Sequence, residues 1–137
     1  MALFERRPLR ERVHAEARAA LAIQQHTATY RVEADMSEVP FVVNMGCLAG
    51  SAFVGVTRFV GRYGERWTYT ASGPVTNLAA RLCALAQDGA ILLSEVPAAL
   101  LAETHTLQPL GEHRFKNIGR MVRVYRLLGE PAEILQT

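Results

Sequence analysis

The chain has 137 residues, half of them hydrophobic and 20% charged, with a formal net charge of +2. That balance suits one soluble globular domain with one core. It gives no electrostatic reason to expect nucleic acid or a membrane surface as partner. No apolar run reaches the ~20 residues that a membrane helix needs. Met1 to Arg7 lacks the charged-then-apolar order of a signal peptide. The two cysteines, Cys47 and Cys83, both lie in apolar stretches. They read as buried core thiols rather than a disulfide or a metal pair, so a reducing, cytoplasmic setting is expected. The basic concentrations at Arg6–Arg12 and Arg114–Arg126 read as solvated faces.

Met1–Phe4 is an apolar stub, and Pro8 can open a helix. From Leu9 to about Gln25 the chain is rich in Ala, Arg, Glu and Leu. Leu9, Val13, Ala17 and Leu21 recur every four residues, which predicts an amphipathic helix. Thr27–Glu38 is polar and irregular and reads as a loop. Val39–Leu48 is a continuous apolar run with β-branched residues and predicts a buried strand. Ala49-Gly50-Ser51 is a turn, and Phe53–Thr57 a second strand. Phe59–Arg66 reads as an exposed hairpin arm or loop, and Trp67–Thr70 as a strand.

Gly73-Pro74 opens the main predicted helix, which runs to about Gln87. Proline at the first helical position removes an N–H that would be unpaired anyway. Val75, Leu78, Ala79, Leu82, Leu85 and Ala86 form its apolar stripe. Asp88-Gly89 is a turn and Ala90–Leu93 a buried strand. Ser94 caps a short helix reaching Leu101. Thr106–Leu110, Glu112–Phe115 and Val122–Leu128 read as strands, and the chain after Gly129 as a frayed tail. The order predicts an α+β domain with helices on one face of a largely antiparallel sheet.

Asn77 and Arg81 lie four residues apart on the main helix, so they project the same way. Around them runs Trp67-Thr-Tyr-Thr-Ala-Ser-Gly-Pro-Val-Thr-Asn-Leu-Ala-Ala-Arg-Leu82. This resembles the strand–turn–helix of class III nucleotidyl cyclases, the adenylyl and guanylyl cyclases, with its Y-T-x-x-G-x-x-x-N-L-A-A-R-L pattern. Weaker matches follow the same order. Met45–Gly50 resembles the family's strand ending in G-x-x-x-G, and Ala52–Gly55 its V-G step. Ala90–Ser94 resembles its I-L-x-S strand. Leu110-Gly111 through Phe115-Lys116-Asn117 resembles its L-G-x-x-x-L-K-G hairpin, and Val122–Tyr125 its V-x-V-Y ending. The similarity runs from Met1 to about Leu128 and implies a ferredoxin-like cyclase domain, residues 1–128, with residues 129–137 as a tail.

The resemblance also assigns roles. Asn77 and Arg81 match the residues that stabilise the transition state of cyclisation. A neutral amide can donate to ribose or phosphate oxygens, and a guanidinium can fork onto phosphate oxygens as charge develops. Thr70 stands where the family selects the base, although a threonine in a strand also reads simply as high β propensity. Lys116 matches a hairpin lysine near the triphosphate, or is a surface lysine. Pro74 replaces the Asp that usually follows the turn glycine, and Val75-Thr76 inverts the usual order.

Met1–Phe4 resembles the end of the family's G-D-G-x-M-A-L-F hairpin. The two metal-binding aspartates would therefore precede the chain, and so would a substrate-selecting lysine. Nothing present replaces them. Asp35 and Asp88 are the only aspartates, and the four histidines are dispersed. The expectation is a partial domain that carries the Asn–Arg half of a two-metal site and is inactive alone. Mg²⁺ or Mn²⁺ and ATP or GTP would be engaged only with a partner that supplies the carboxylates. The alternative is a non-catalytic dimerisation or nucleotide-sensing module. Open strand edges would favour a homo-oligomer or a complementary cyclase domain as partner.

Overall fold

The computed structural model describes residues 8–34, 37–50 and 53–130. Met1–Phe4, Asp35 and the tail beyond Glu130 lie outside the described residues. The elements in order are α1 (Leu9–Thr27), β1 (Arg31–Ala34), β2 (Ser37–Pro40), β3 (Met45–Cys47), β4 (Phe53–Gly61), β5 (Gly64–Ser72), α2 (Pro74–Leu85), β6 (Ile91–Leu93), α3 (Glu95–Leu101), β7 (Thr106–Arg114) and β8 (Met121–Gly129).

Four strands form the central sheet in the order β3-β6-β8-β7. β3 runs parallel to β6, with Gly46 opposite Leu92. β8 pairs antiparallel with both β6 and β7. The sheet is therefore mixed, and the domain is of the expected α+β class. The layering differs from the expected single helical face. Alternate residues of β6 point opposite ways, and each set meets a different helix. Ile91 and Leu93 join Val13, Ala17 and Ala20 of α1, Cys47, and Ala98 and Leu101 of α3. Leu92 joins Leu78 and Leu82 of α2, with Val122 and Val124 of β8. A strand apolar at every position has two faces to cover, and both are covered by helix.

α1 follows its composition, since Ala, Arg, Glu and Leu are good helix formers. Its buried side chains are Val13, Ala17 and Ala20, while Leu9 is 40% exposed. A row spaced by four drifts about 40° per step on a 3.6-residue helix, so the strict row Leu9–Leu21 rotates out of the core at its ends. Pro8 is the N-cap rather than the first helical residue.

Two readings of the region after α1 are corrected. Thr27–Glu38 is not a loop, because Val32 faces Val39 and Ala34 faces Ser37 in the β1–β2 hairpin. Val39–Leu48 is not one buried strand. Pro40 has no N–H to continue a ladder, Phe41–Asn44 carries no regular structure, and Phe41 and Val42 are about half exposed. Only Met45–Cys47 enters the sheet. β4 and β5 form a long two-stranded ribbon that absorbs Phe59–Arg66, with Arg58 over Trp67 and ion-paired to Glu65. β7 is one strand rather than two. Gly111, at φ 82°, lies in a register shift between Pro109 and Glu112, so the glycine makes a bulge instead of a break.

Cys47 is buried as expected, but Cys83 is exposed. Gly46 faces α2, so Cys47, the next residue, faces α1. The two thiols thus lie on opposite faces of β3. Cys47 meets the carboxyl of Glu16, which also bonds the Leu48 backbone. Burial pushes this carboxyl from 4.5 up to about 7, against the pull of those two hydrogen bonds. Burial first, then the Glu16 charge, pushes the Cys47 thiol up as well. The folded state therefore favours protonated Glu16. Stability from that form is complete below about pH 4.5 and is lost as pH rises to about 7. Glu16→Gln is expected to add on the order of 1–2 kcal/mol at pH 8 and nothing near pH 4.5. Chemical denaturation of both chains at the two pH values checks this, and equal gains at both would refute it.

Candidate functional site

α2 positions the two strongest candidate residues. It starts at Gly73, which adopts φ 125°, a conformation open to glycine. Pro74 occupies the first turn, which contains no acidic residue. The Asn77 N–H donates to the Gly73 carbonyl at 3.1 Å and closes that turn. The replacement of the usual Asp by Pro74 therefore leaves the helix start intact.

Leu78 and Leu82 are 5% and 0% exposed and hold α2 to the sheet. Asn77 and Arg81 each precede one of them and so lie about 100° round the helix. Asn77 is exposed and Arg81 half-buried. Among the described residues neither side chain has a hydrogen-bond or ion-pair partner. An amide and a guanidinium, side by side and uncommitted, are free to engage anionic oxygens.

β3 packs tightly beneath this helix. A Cβ on Gly46 would lie 2.5 Å from the Ala79 carbonyl oxygen and 2.8 Å from the Cys83 nitrogen. A Cβ on Gly50 would collide with Val75. Val75, Ala79 and Cys83 form one row at four-residue spacing, and the glycines at 46 and 50 receive it. The G-x-x-x-G pattern thus has a packing role, which is to seat the helix that carries Asn77 and Arg81.

Thr70 lies in β5 opposite Gly55, just before the α2 turn, and α2 packs against β5. Lys116 is exposed in the turn between β7 and β8. Phe115 and Ile118, which flank it, pack onto the cluster containing Leu78 and Leu82. The fold therefore anchors the Lys116 turn to the core cluster to which α2 also contributes. Asn117 has φ 65°, and asparagine tolerates that region best after glycine. This accounts for Phe-Lys-Asn where the motif has Leu-Lys-Gly.

Among the described residues, no group of three or more His, Cys, Asp or Glu side chains could hold a metal ion. No helix among the described residues is long and apolar enough to cross a membrane.

No protein-family profile matches the chain, and no curated protein matches its sequence. Solved structures do match. The adenylyl cyclase CyaB from P. aeruginosa superposes with a TM-score of 0.73 at 22% identity, covering 91% of this chain and 63% of that one. The guanylate cyclase domain of RhGC from Catenaria anguillulae, solved in complex with GTP, gives 0.74 at 19% identity, covering 93% and 64%.

The fold is that of a nucleotidyl cyclase catalytic domain.

The dimeric guanylyl cyclase domain of the RhoGC fusion protein from Blastocladiella emersonii gives a TM-score of 0.66 at 18% identity, covering 88% and 60%. The chain spans less than two thirds of the length of each of these cyclase structures.

Proposed function

We propose that this chain is a class III cyclase domain supplying the transition-state half of a shared active site, with Asn77 and Arg81 as the residues that act on the nucleotide. One observation carries the reading. On a helix seated by Gly46, within a cyclase fold, the amide and the guanidinium stand adjacent and uncommitted. The reaction would be attack of the nucleotide 3′-hydroxyl on its own α-phosphate, with loss of pyrophosphate. Arg81 would meet the charge that develops on the phosphate oxygens, and Asn77 would orient the ribose or phosphate. Thr70 would contact the base of ATP or GTP, and Lys116 the triphosphate. The described donor set does not suit Mg²⁺ or Mn²⁺, so the carboxylates for the cation would come from a complementary cyclase domain. The chain alone would then form no product.

Complementation tests this. The chain is mixed with a cyclase domain that retains its metal carboxylates but has its own Asn–Arg pair replaced. Cyclic nucleotide from ATP or GTP is expected in the mixture and in neither protein alone. Silence of the mixture at high concentration would count against the shared site. Nucleotide binding without product would transfer the reading to a regulatory, nucleotide-sensing module.

A further inference from the structure

A hydrogen-bonded chain of two histidines and a threonine ties α1 to the junction of α3 and β7. His14 Nδ1 lies 2.8 Å from the Arg10 carbonyl, and His14 Nε2 lies 3.1 Å from Thr104 Oγ1. The same hydroxyl lies 2.8 Å from His105 Nδ1. The rings meet edge to face with centroids 5.7 Å apart.

The proton positions follow from what each group can do. A carbonyl only accepts, so His14 Nδ1 carries the proton directed at Arg10. In a neutral ring Nε2 is then an acceptor, and the Thr104 hydroxyl must donate to it. That hydroxyl has one proton, so His105 Nδ1 must donate to its oxygen. A single arrangement satisfies all three contacts with both rings neutral.

We propose that His14, Thr104 and His105 form a proton-operated latch that holds the N-terminal half of α1 against the α3–β7 junction and releases it when both imidazoles are charged. A first proton can enter at His105 Nε2 and leave every hydrogen bond in place. A second, on His14 Nε2, turns both facing nitrogens into donors aimed at one oxygen. The hydroxyl proton must then swing to the Leu101 carbonyl, 3.4 Å away, too far for a good bond. Two cations then face each other across one hydroxyl.

The surrounding charges are mixed. Glu130, at the end of β8, favours a His105 cation, whereas burial and His14 oppose it, burial most. On α1, Glu11 lies one turn before His14, and Arg10 and Arg18 lie one turn to either side. Glu103 precedes Thr104. The charged residue of α3, Glu95, is paired with Arg120 at 2.5 Å. Because burial holds His105 below its ordinary value of 6.5, its neutral form is the folded one. The stability it confers is complete above that pH and is lost on acidification.

Hydrogen exchange of the α1 amides in the whole chain tests the latch. Between about pH 7.5 and about pH 5, after correction for intrinsic rates, exchange in the first half of α1 is expected to quicken about tenfold. The β8 amides should change much less. Thr104→Val removes the shared hydroxyl and should leave α1 fast at both pH values. His14→Gln keeps a hydrogen-bonding side chain but cannot ionise, and should reduce the pH response of α1 to what burial of His105 alone contributes. Protection that is flat with pH in the unmodified chain would overturn the latch. A pH response in His14→Gln as large as that of the unmodified chain would overturn it as well.

Discussion

Alanine at position 46 is expected to destabilise the chain by about 3 kcal/mol, near the upper end for an added methyl in a filled interior. The position is severe because the atoms in the way are backbone. The Ala79 carbonyl and the Cys83 nitrogen belong to the ladder of α2, and neither can rotate aside as a side chain would. β3 has little freedom either, since Gly46 is held opposite Leu92 of β6, whose neighbours are fully buried. Relief therefore requires α2 to lift from the sheet as a unit. Gly119→Ala is the control, because nothing lies within 4 Å of its added Cβ. Urea melts of the two variants and the parent measure the difference. A Gly46→Ala midpoint equal to that of Gly119→Ala would show that the helix is not seated in this way.

Arg81→Ala is expected to lower cyclic nucleotide formation in the complemented assay by roughly 10²–10³-fold, the usual loss for one donor aimed at developing charge. Its effect on folding should be small. Arg81 is half-buried and has no ion-pair partner among the described residues, so removing it strands no buried charge. Arg81→Lys keeps the charge but not the planar fork and should recover only part of the rate. The informative comparison is the thermal midpoint against turnover. A collapse of both together would assign Arg81 to the scaffold, and an unchanged turnover would remove it from the chemistry.

α2 was readable because its start, stripe and candidate pair are all local. Gly73-Pro74 marks the turn, Leu78 and Leu82 mark the buried face, and Asn77 and Arg81 share a neighbouring face by spacing alone. The same holds for Asp88-Gly89, which takes two positive φ values as such a turn requires. β1 and β2 carry little sequence signal because, among the described residues, they pair only with each other. Val39–Leu48 misled in the opposite direction, since apolar character predicts burial only where a neighbouring surface exists to provide it. Spacing alone does not tie the Lys116 turn to the core cluster that includes Leu78 and Leu82. Its position depends on Phe115 and Ile118 packing onto the cluster that Leu78 and Leu82 share with Leu92, Val122 and Val124. The second helical face of the sheet was likewise a tertiary fact, although Ile91, Leu92 and Leu93, apolar in succession, carried its signal.

The pairing of β3 with β6 has a kinetic meaning. Between these partners the chain makes the whole β4–β5 ribbon and α2, whereas β7 and β8 are joined by a short turn. Closing the long loop costs entropy before the parallel pair returns any. The β7–β8 hairpin is therefore expected to assemble early and β3 to join late. Substitutions along β3 should then leave the folding rate nearly unchanged and shorten the lifetime of the native state.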